Sequence, residues 1–294
     1  MTFARHNPID DPGTLPRMPS WVTSARAETL EDVVFLSGAV LAHLHLVLAQ
    51  DSVPQALLRD RLALRAAEAS VTFAGRPERA AELRDAVHLL RPGDLPGPAG
   101  ETCLSWRRAI ERPVSIKALH RALPELNADR IAGWLDIGQG TPVARAASVL
   151  EVVLSDAPHA EVPALVLADA AMAQALGWDY LVPLLAIGLK RGDLRKHGDD
   201  LRLACHRAAT ASALEAVRAA ADLARWTAHL KAVAPKLRAK GSEAAVEMFL
   251  ASDAVAPSAL PLPDRAARRL CDRLVALGAV RELTGRDTFR LYGV

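Results

Sequence analysis

The stretch that most constrains this chain is Asp199–Ala232, where 34 consecutive residues include neither proline nor glycine. Its apolar side chains recur at helical spacing and are mostly alanine and leucine, which predicts one long amphipathic helix. The whole chain has a similar composition, since 51% of its residues are hydrophobic but only 4% are aromatic. Strong helix formers are abundant and β-branched or aromatic residues are scarce, so we predict a mainly α protein.

Prolines and glycines divide the rest of the chain into further helical segments. A loop with three prolines and three glycines spans Arg91–Gly100, and a second glycine-rich turn spans Ile137–Pro142. No fixed-period repeat is visible, so a solenoid is not expected. Besides the long helix, we predict helices at about 28–50, 53–74, 77–90, 101–111, 142–155 and 161–178, with short ones in "SIKALHRALPEL" and "NADRIAGWLD". One more helix is predicted after Tyr180, before a turn near His197 and Gly198.

The length allows one large domain or two unequal ones. We predict a flexible N-terminal tail over residues 1–20, because this proline-containing stretch has neither an apolar core nor a helical pattern. We expect a multi-helical domain over residues 21–240 and a small domain over 241–294. The stretch "RAKG" would join the two domains.

The apolar windows and the cysteines indicate the cellular compartment of the protein. The most apolar window, Val33–Ala49, is short for a bilayer span and is interrupted by His43 and His45, so it predicts a buried core helix and no membrane partner. The three cysteines are far apart in the sequence, which favours a reducing cytoplasm over a disulfide framework.

The C-terminal stretch has a different organisation. Ser242–Asp253 predicts a serine-capped helix, "APSAL" a short second helix, and "LPDRAARRLCDRLVALGAV" a third helix that ends at Gly278. The segments "VREL" and "TFRLY" predict two strands joined by a tight turn at Gly285. Three helices followed by a β-hairpin are typical of a winged helix, a variant of the DNA-binding helix-turn-helix.

Charge is unevenly distributed along the chain. Residues 190–240 carry 12 basic and 5 acidic side chains, whereas residues 1–189 carry 17 and 22. A basic segment beside a winged helix fits a polyanionic partner, although a solvated helix surface has the same composition. Because the third helix of a winged helix can lie in the major groove, we expect its arginines and those of the hairpin to contact DNA. They are Arg265, Arg268, Arg269, Arg273, Arg286 and Arg290.

Four long stretches carry a family resemblance: "RLALRAAEASVTFAGR", "LRDAVHLLRPGDLPGPAG", "LKRGDLRKHGDDLRLACHRA" and the C-terminal "LPDRAARRLCDRLVALGAVRELTGRDTFRLYGV". With them the chain resembles a bacterial family catalogued as domain of unknown function 1403. That resemblance implies no activity and no catalytic residues. The terminal stretch is also similar to the winged-helix tail of some Fic-type proteins, whose catalytic signature is absent from this sequence.

A catalytic alternative rests on Asp85, His88 and Asp94, which lie in or beside the Arg91–Gly100 loop. Asp85 and His88 are three residues apart and share a helix face, so the aspartate could orient the histidine as a general base. A rigid turn with a packed histidine explains the same pattern. No phosphate loop, GxSxG elbow, HExxH or CxxC motif is present, so no cofactor or metal is expected.

These observations favour a cytoplasmic DNA-binding or regulatory protein. The helical body would supply a homodimer interface, a protein-partner surface or a ligand pocket. The first alternative is a protein-interaction adaptor whose winged helix docks a protein, and the second is an enzyme with its site near the Arg91–Gly100 loop.

Overall fold

The computed structural model describes residues 15–24, 29–91, 93–237 and 241–294, and the fold is mainly helical. These residues form thirteen α-helices, three short 3-10 turns and one two-stranded sheet. The helices are α1 (Ser20–Ser24), α2 (Leu30–Leu48), α3 (Gln55–Phe73), α4 (Ala80–His88), α5 (Gly97–Glu111), α6 (Ile116–Ala122), α7 (Ala128–Ile137), α8 (Pro142–Asp156), α9 (Glu161–Ala175), α10 (Leu185–Gly188), α11 (Gly198–Val233), α12 (Ser242–Ala251) and α13 (Asp264–Ala276).

The long helix predicted from the proline-free stretch is confirmed as α11. Two aspartates in its first turn complement the positive end of the helix dipole, and Pro235 follows its last turn. Two segments differ from the prediction. Helix α5 begins at Gly97, inside the predicted loop, with Pro98 in its first turn. The predicted helix before residue 197 is reduced to the four residues of α10.

The hydrophobic core is built around α9, as its strongly apolar sequence predicts. All ten side chains from Ala164 to Ala173 are buried. Helix α9 packs against α8, and α11 packs against both α2 and α8. Helix α3 packs against α5, where the indole Nε1 of Trp106 donates a hydrogen bond to Ser70 Oγ at 3.0 Å. The many alanines allow the helices to approach closely, which explains a dense core with few aromatic residues.

Helix α2 is the one helix among the described residues that is long and apolar enough to cross a membrane. Length and composition alone do not distinguish a membrane-spanning helix from the core helix of a soluble protein. Within its apolar window 44% is buried, and α2 packs against α11. Large apolar side chains remain exposed on its other side: Leu30, Val34, Phe35 and Leu46.

The C-terminal module, defined as residues 241–294, consists of α12, a 3-10 turn at Pro257–Ala259, α13 and a small sheet. Strand β1 (Arg281–Glu282) pairs antiparallel with β2 (Tyr292–Gly293). Tyr292 also forms an antiparallel bridge with Val255, so three short segments lie side by side.

The second strand is shorter than the predicted segment, which begins at Thr288. The carboxylate of Glu282 accepts hydrogen bonds from the backbone N–H groups of Thr284 and Gly285, which turns the chain away from the sheet. Phe289 has a φ of 54°, in the left-handed region that a strand residue does not adopt. The residues between β1 and β2 therefore form a loop and not two long arms of a hairpin.

The predicted domain boundaries fall partly outside the described residues. Residues 238–240 of the predicted linker and residues 1–14 of the predicted tail are not among them. Leu15 and Met18 pack against the core, and α1 begins at Ser20. Buried side chains of α12 and α13 belong to the same hydrophobic cluster as those of the helical body. The body and the C-terminal module thus share one core.

Candidate nucleic-acid interface

The C-terminal module is attached to the body by buried ion pairs around Asp253, the second residue after α12. Its carboxylate accepts from Arg61 Nε at 2.8 Å and from Arg84 Nε at 2.6 Å. Only 4% of the Asp253 side chain is exposed. Burial pushes the pKa of Asp253 up, but the hydrogen bonds and charges of Arg84 and Arg61 outweigh it and hold that pKa below its ordinary value. Asp253 is therefore charged at neutral pH.

A second carboxylate extends this network. Asp60 Oδ1 accepts from Arg107 Nε at 2.9 Å, and Asp60 Oδ2 accepts from the backbone N–H of Asp253 at 2.9 Å. Arg61 Nη2 donates to the backbone carbonyl of Val294 at 3.0 Å. Helices α3, α4 and α5 of the body thus hold Asp253, which precedes the bridge residue Val255, and Val294, which follows β2. This attachment anchors Asp253 and Val294, which flank α13 and the sheet in the sequence, to the body.

Helix α13 has one buried and one charged face, as its sequence predicts. Ala267, Leu270, Cys271 and Leu274 are buried. The opposite face carries a row of three exposed arginines at positions i, i+4 and i+8, which we call the arginine row: Arg265, Arg269 and Arg273. Within the described part of the chain, no carboxylate lies within ion-pair distance of any of the three. Over eight residues the row extends roughly 12 Å along the helix.

The arginine row is not explained by helix stability. Like charges at i and i+4 are neighbours on a helix surface and destabilise it by a few tenths of a kcal/mol per pair. The adjacent Arg268 shows the alternative, because it pairs with Asp264 one turn earlier at 3.1 Å. The row instead presents three guanidinium groups whose planar, multiple donors match phosphate oxygens.

The two arginines of the hairpin region are placed differently from α13. Arg286, expected at a free turn, makes a bidentate salt bridge to Asp85 of α4 at 2.7 and 2.8 Å. Arg290 lies 3.6 Å from Asp287 and donates to the backbone carbonyl of Arg286 at 2.7 Å. These contacts tie the loop to itself and to the body. Of the six predicted DNA contacts, Arg265, Arg268, Arg269 and Arg273 therefore lie exposed on α13, and Arg286 and Arg290 are already engaged.

The basic segment 190–240 adjoins the module at the end of α11. The guanidinium carbon of Arg281 lies 3.8 Å from the ring centroid of Trp226, and the His229 ring nitrogen Nε2 lies 3.0 Å from the Leu277 carbonyl oxygen. Some cations of the segment 190–240 form ion pairs with nearby carboxylates: Lys196 with Asp193, Arg202 with Asp199 and Arg225 with Asp222. The others with described side chains are exposed and make no such pair: Lys190, Arg191, Arg195, Arg207, Arg218, Lys231 and Lys236.

The three catalytic candidates face different surroundings. Asp85 binds Arg286, and Asp94 accepts from the backbone N–H of Arg91 at 2.9 Å within its own loop. His88 lines a cavity of about 10 Å³, enough for about one water molecule. Burial, and then the charge of Arg107, lower the pKa of His88 to about 4. The structure does not bring the three groups into one substrate-sized pocket.

A family comparison covers almost the whole chain. The model of a family described as protein of unknown function DUF1403 matches residues 6–294. The chain belongs to the DUF1403 family. No curated protein matches this DUF1403 chain.

Sequence reasoning missed the ion network of this DUF1403 protein. Asp60 and Asp253 are separated by 193 residues, so no local spacing connects them. Arg61, Arg84 and Arg107 lie on three different helices and look like ordinary charged surface positions in the sequence. A signal was available only for Asp253, which is a lone charge between the apolar end of α12 and the apolar "AVA" that follows.

Proposed function

We propose that this protein binds duplex DNA through its C-terminal module, with α13 as the helix that contacts the nucleic acid. The order of elements supports a winged helix: α12, the bridge residue Val255, the 3-10 turn, α13, β1 and β2. In such modules the helix before the hairpin can enter the major groove. The short loop between β1 and β2 takes the place of the wing.

The observation that carries this proposal is the arginine row on α13. Three exposed guanidinium groups with no acidic partner in the described part of the chain cost the isolated helix stability, and phosphates would compensate them. Arg268 is a fourth contact that becomes available if its exposed pair with Asp264 opens, because such pairs contribute only about 0–1 kcal/mol. The unpaired cations of segment 190–240 would add long-range attraction for the polyanion.

The regulatory part of the proposal concerns the body. The ion network around Asp253 attaches the C-terminal module to α3, α4 and α5, so a partner or a second copy bound to the body would set where the module meets DNA. A cytoplasmic location is part of the proposal, and the three buried, unpaired thiols at Cys103, Cys205 and Cys271 fit a reducing compartment.

The test is the binding of the full-length protein to a labelled random DNA duplex, measured by fluorescence anisotropy across a salt series. Three phosphate contacts predict that log K falls against log salt with a slope of about −3. The variant Arg265→Glu/Arg269→Glu/Arg273→Glu should bind at least tenfold more weakly and with a flatter slope. A matched control, Arg17→Glu/Arg112→Glu/Lys117→Glu, changes the net charge equally at exposed positions that have no ion partner among the described residues.

Two results would refute the proposal. One is the absence of binding at low salt, and the other is an equal loss of affinity in the α13 variant and in the control. The second would mean that only the net charge of the protein matters. Circular dichroism of both variants checks that the helices are intact.

A protein-interaction adaptor is the second candidate, and one feature favours it. Phe289 is 64% exposed and lines an open groove of about 490 Å³ between α13 and the loop before β2. An exposed phenyl ring beside charged groups is typical of a protein-docking surface. If the DNA test fails, capture of binding partners by wild-type protein and by Phe289→Ser becomes the decisive comparison.

A further inference from the structure

A second open groove lies on the body, between α2, the start of α8 and α11. Its volume is about 650 Å³, which is in the range of small-molecule sites. Its walls are almost entirely apolar: Val34, Leu41, Leu46, Pro142, Val143 and Leu176 line it. Val34 and Leu46 are 40% and 54% exposed at its rim.

Two polar side chains meet at the floor of this groove. Ser37 Oγ lies 2.7 Å from His206 Nδ1 and 2.9 Å from the backbone carbonyl of Val34. A hydroxyl has one proton and a carbonyl can only accept, so both contacts are hydrogen bonds only when the serine donates to Val34. His206 Nδ1 must then carry a proton and donate it to Ser37 Oγ.

This arrangement determines what His206 offers to a ligand. Burial, followed by the charge of Arg202, lowers the pKa of His206, so the ring is neutral with its one proton on Nδ1. The other nitrogen, Nε2, is then a bare hydrogen-bond acceptor. The side chain is more than nine-tenths buried, and no described residue bonds to Nε2. Unlike Nε2 of His43, this nitrogen is not sealed from solvent, and His206 lines the groove.

The far end of the groove has the opposite hydrogen-bonding character. His45 Nδ1 accepts from the indole Nε1 of Trp178 at 3.0 Å, so the proton of His45 is on Nε2, which can donate. His45 follows Ser37 by eight residues on α2, which places the two polar points about 12 Å apart along the helix. An apolar wall therefore separates the acceptor, His206 Nε2, from the donor, His45 Nε2.

We propose that this groove binds an elongated apolar small molecule whose hydroxyl group donates a hydrogen bond to His206 Nε2. The apolar body of the ligand would lie along α2 towards His45, where a carbonyl or second hydroxyl of a longer ligand would be recognised. An apolar helix of a partner protein fits less well, because it would cover Nε2 with carbon and leave a buried acceptor unsatisfied. This proposal stands independently of DNA binding.

Two isomeric probes isolate the hydrogen bond. 1-Octanol and 1-methoxyheptane have the same atoms and similar length, but only the alcohol can donate. Isothermal titration calorimetry on the full-length protein should show about tenfold tighter binding of the alcohol, the effect of one hydrogen bond in an apolar site. Equal affinity for the two isomers, or binding of neither, would overturn the proposal.

Two exposed leucines provide a matched pair of variants. Leu46→Glu places a charge at the groove rim and should weaken octanol binding at least tenfold, whereas Leu95→Glu, at an 89% exposed loop position, should leave it unchanged. His206→Phe should remove the preference for the alcohol, and the isomer comparison on the wild-type protein decides the question if this variant does not fold. Should Leu46→Glu convert a dimer into a monomer in analytical ultracentrifugation, the groove would be an interface between copies and the ligand proposal would be refuted.

Discussion

Replacing Asp253 by asparagine removes the negative charge that lies between Arg61 and Arg84 while keeping the shape of the side chain. The asparagine amide keeps one oxygen acceptor for one guanidinium group and turns an NH2 group towards the other, which is itself only a donor. Asp253 is 4% exposed, and the two arginines are 22% and 20% exposed, so little water can replace the lost acceptor. Two cations would remain close together without compensation.

The expected decrease in the free energy of unfolding follows from the burial of these three side chains. Removing one partner of a buried ion pair typically destabilises a protein by about 3–5 kcal/mol, and the partial exposure of the arginines favours the lower end. For a chain of 294 residues, about 3 kcal/mol corresponds to a Tm decrease of roughly 5 °C. The matched control is Asp85→Asn, which breaks the partly exposed pair with Arg286 and should cost at most about 1 kcal/mol.

The assay is thermal unfolding followed by circular dichroism at 222 nm, at pH 7 and at pH 3. Because the folded-state pKa of Asp253 lies below its ordinary value of 3.8, the pair stabilises the protein above that pH and its contribution is lost as the pH falls through the folded-state pKa. The Tm difference between wild type and Asp253→Asn should therefore narrow at pH 3. Equal Tm losses for Asp253→Asn and Asp85→Asn at pH 7 would refute the view that the buried network attaches the C-terminal module.

Two further predictions concern buried titratable groups. Burial raises the pKa of Cys103 and Cys205 to about 12. Neither thiol should therefore react with Ellman's reagent at pH 8 until the protein is unfolded in guanidinium chloride. Fast labelling of these thiols in the native protein would contradict their burial. His88 has its pKa lowered to about 4 in the folded protein, so the unfolded chain binds the proton first and the folded state should lose stability as the pH falls from about 6.5 towards 4. His88→Leu should flatten that part of the profile, measured by urea unfolding at several pH values, and an unchanged profile would assign the loss to other groups.

The helices could be predicted from the sequence because their signals are local. Proline and glycine mark the ends of α8, α11 and α13 in the sequence, and the apolar period within each of them gives the buried face. In α13 the residues with this apolar spacing, Ala267, Leu270, Cys271 and Leu274, are the buried ones. The same local reasoning failed for β2, because the path of the loop before it depends on Glu282 capping the turn and on Arg286 reaching Asp85.

The arginines of the candidate interface show where local reasoning ends. The sequence predicts that Arg265, Arg269 and Arg273 share an exposed helix face, since helical spacing alone determines that. It cannot predict that Arg286, with the same chemistry, is bound to a carboxylate 201 residues earlier in the chain. The distinction matters for function, because a free guanidinium is available to a phosphate whereas one in a bidentate pair must first break that pair. The contacts that the folded chain makes with Arg286 and Arg290, and not residue type, therefore reduce six candidate DNA contacts to the arginine row and its neighbour Arg268 on α13.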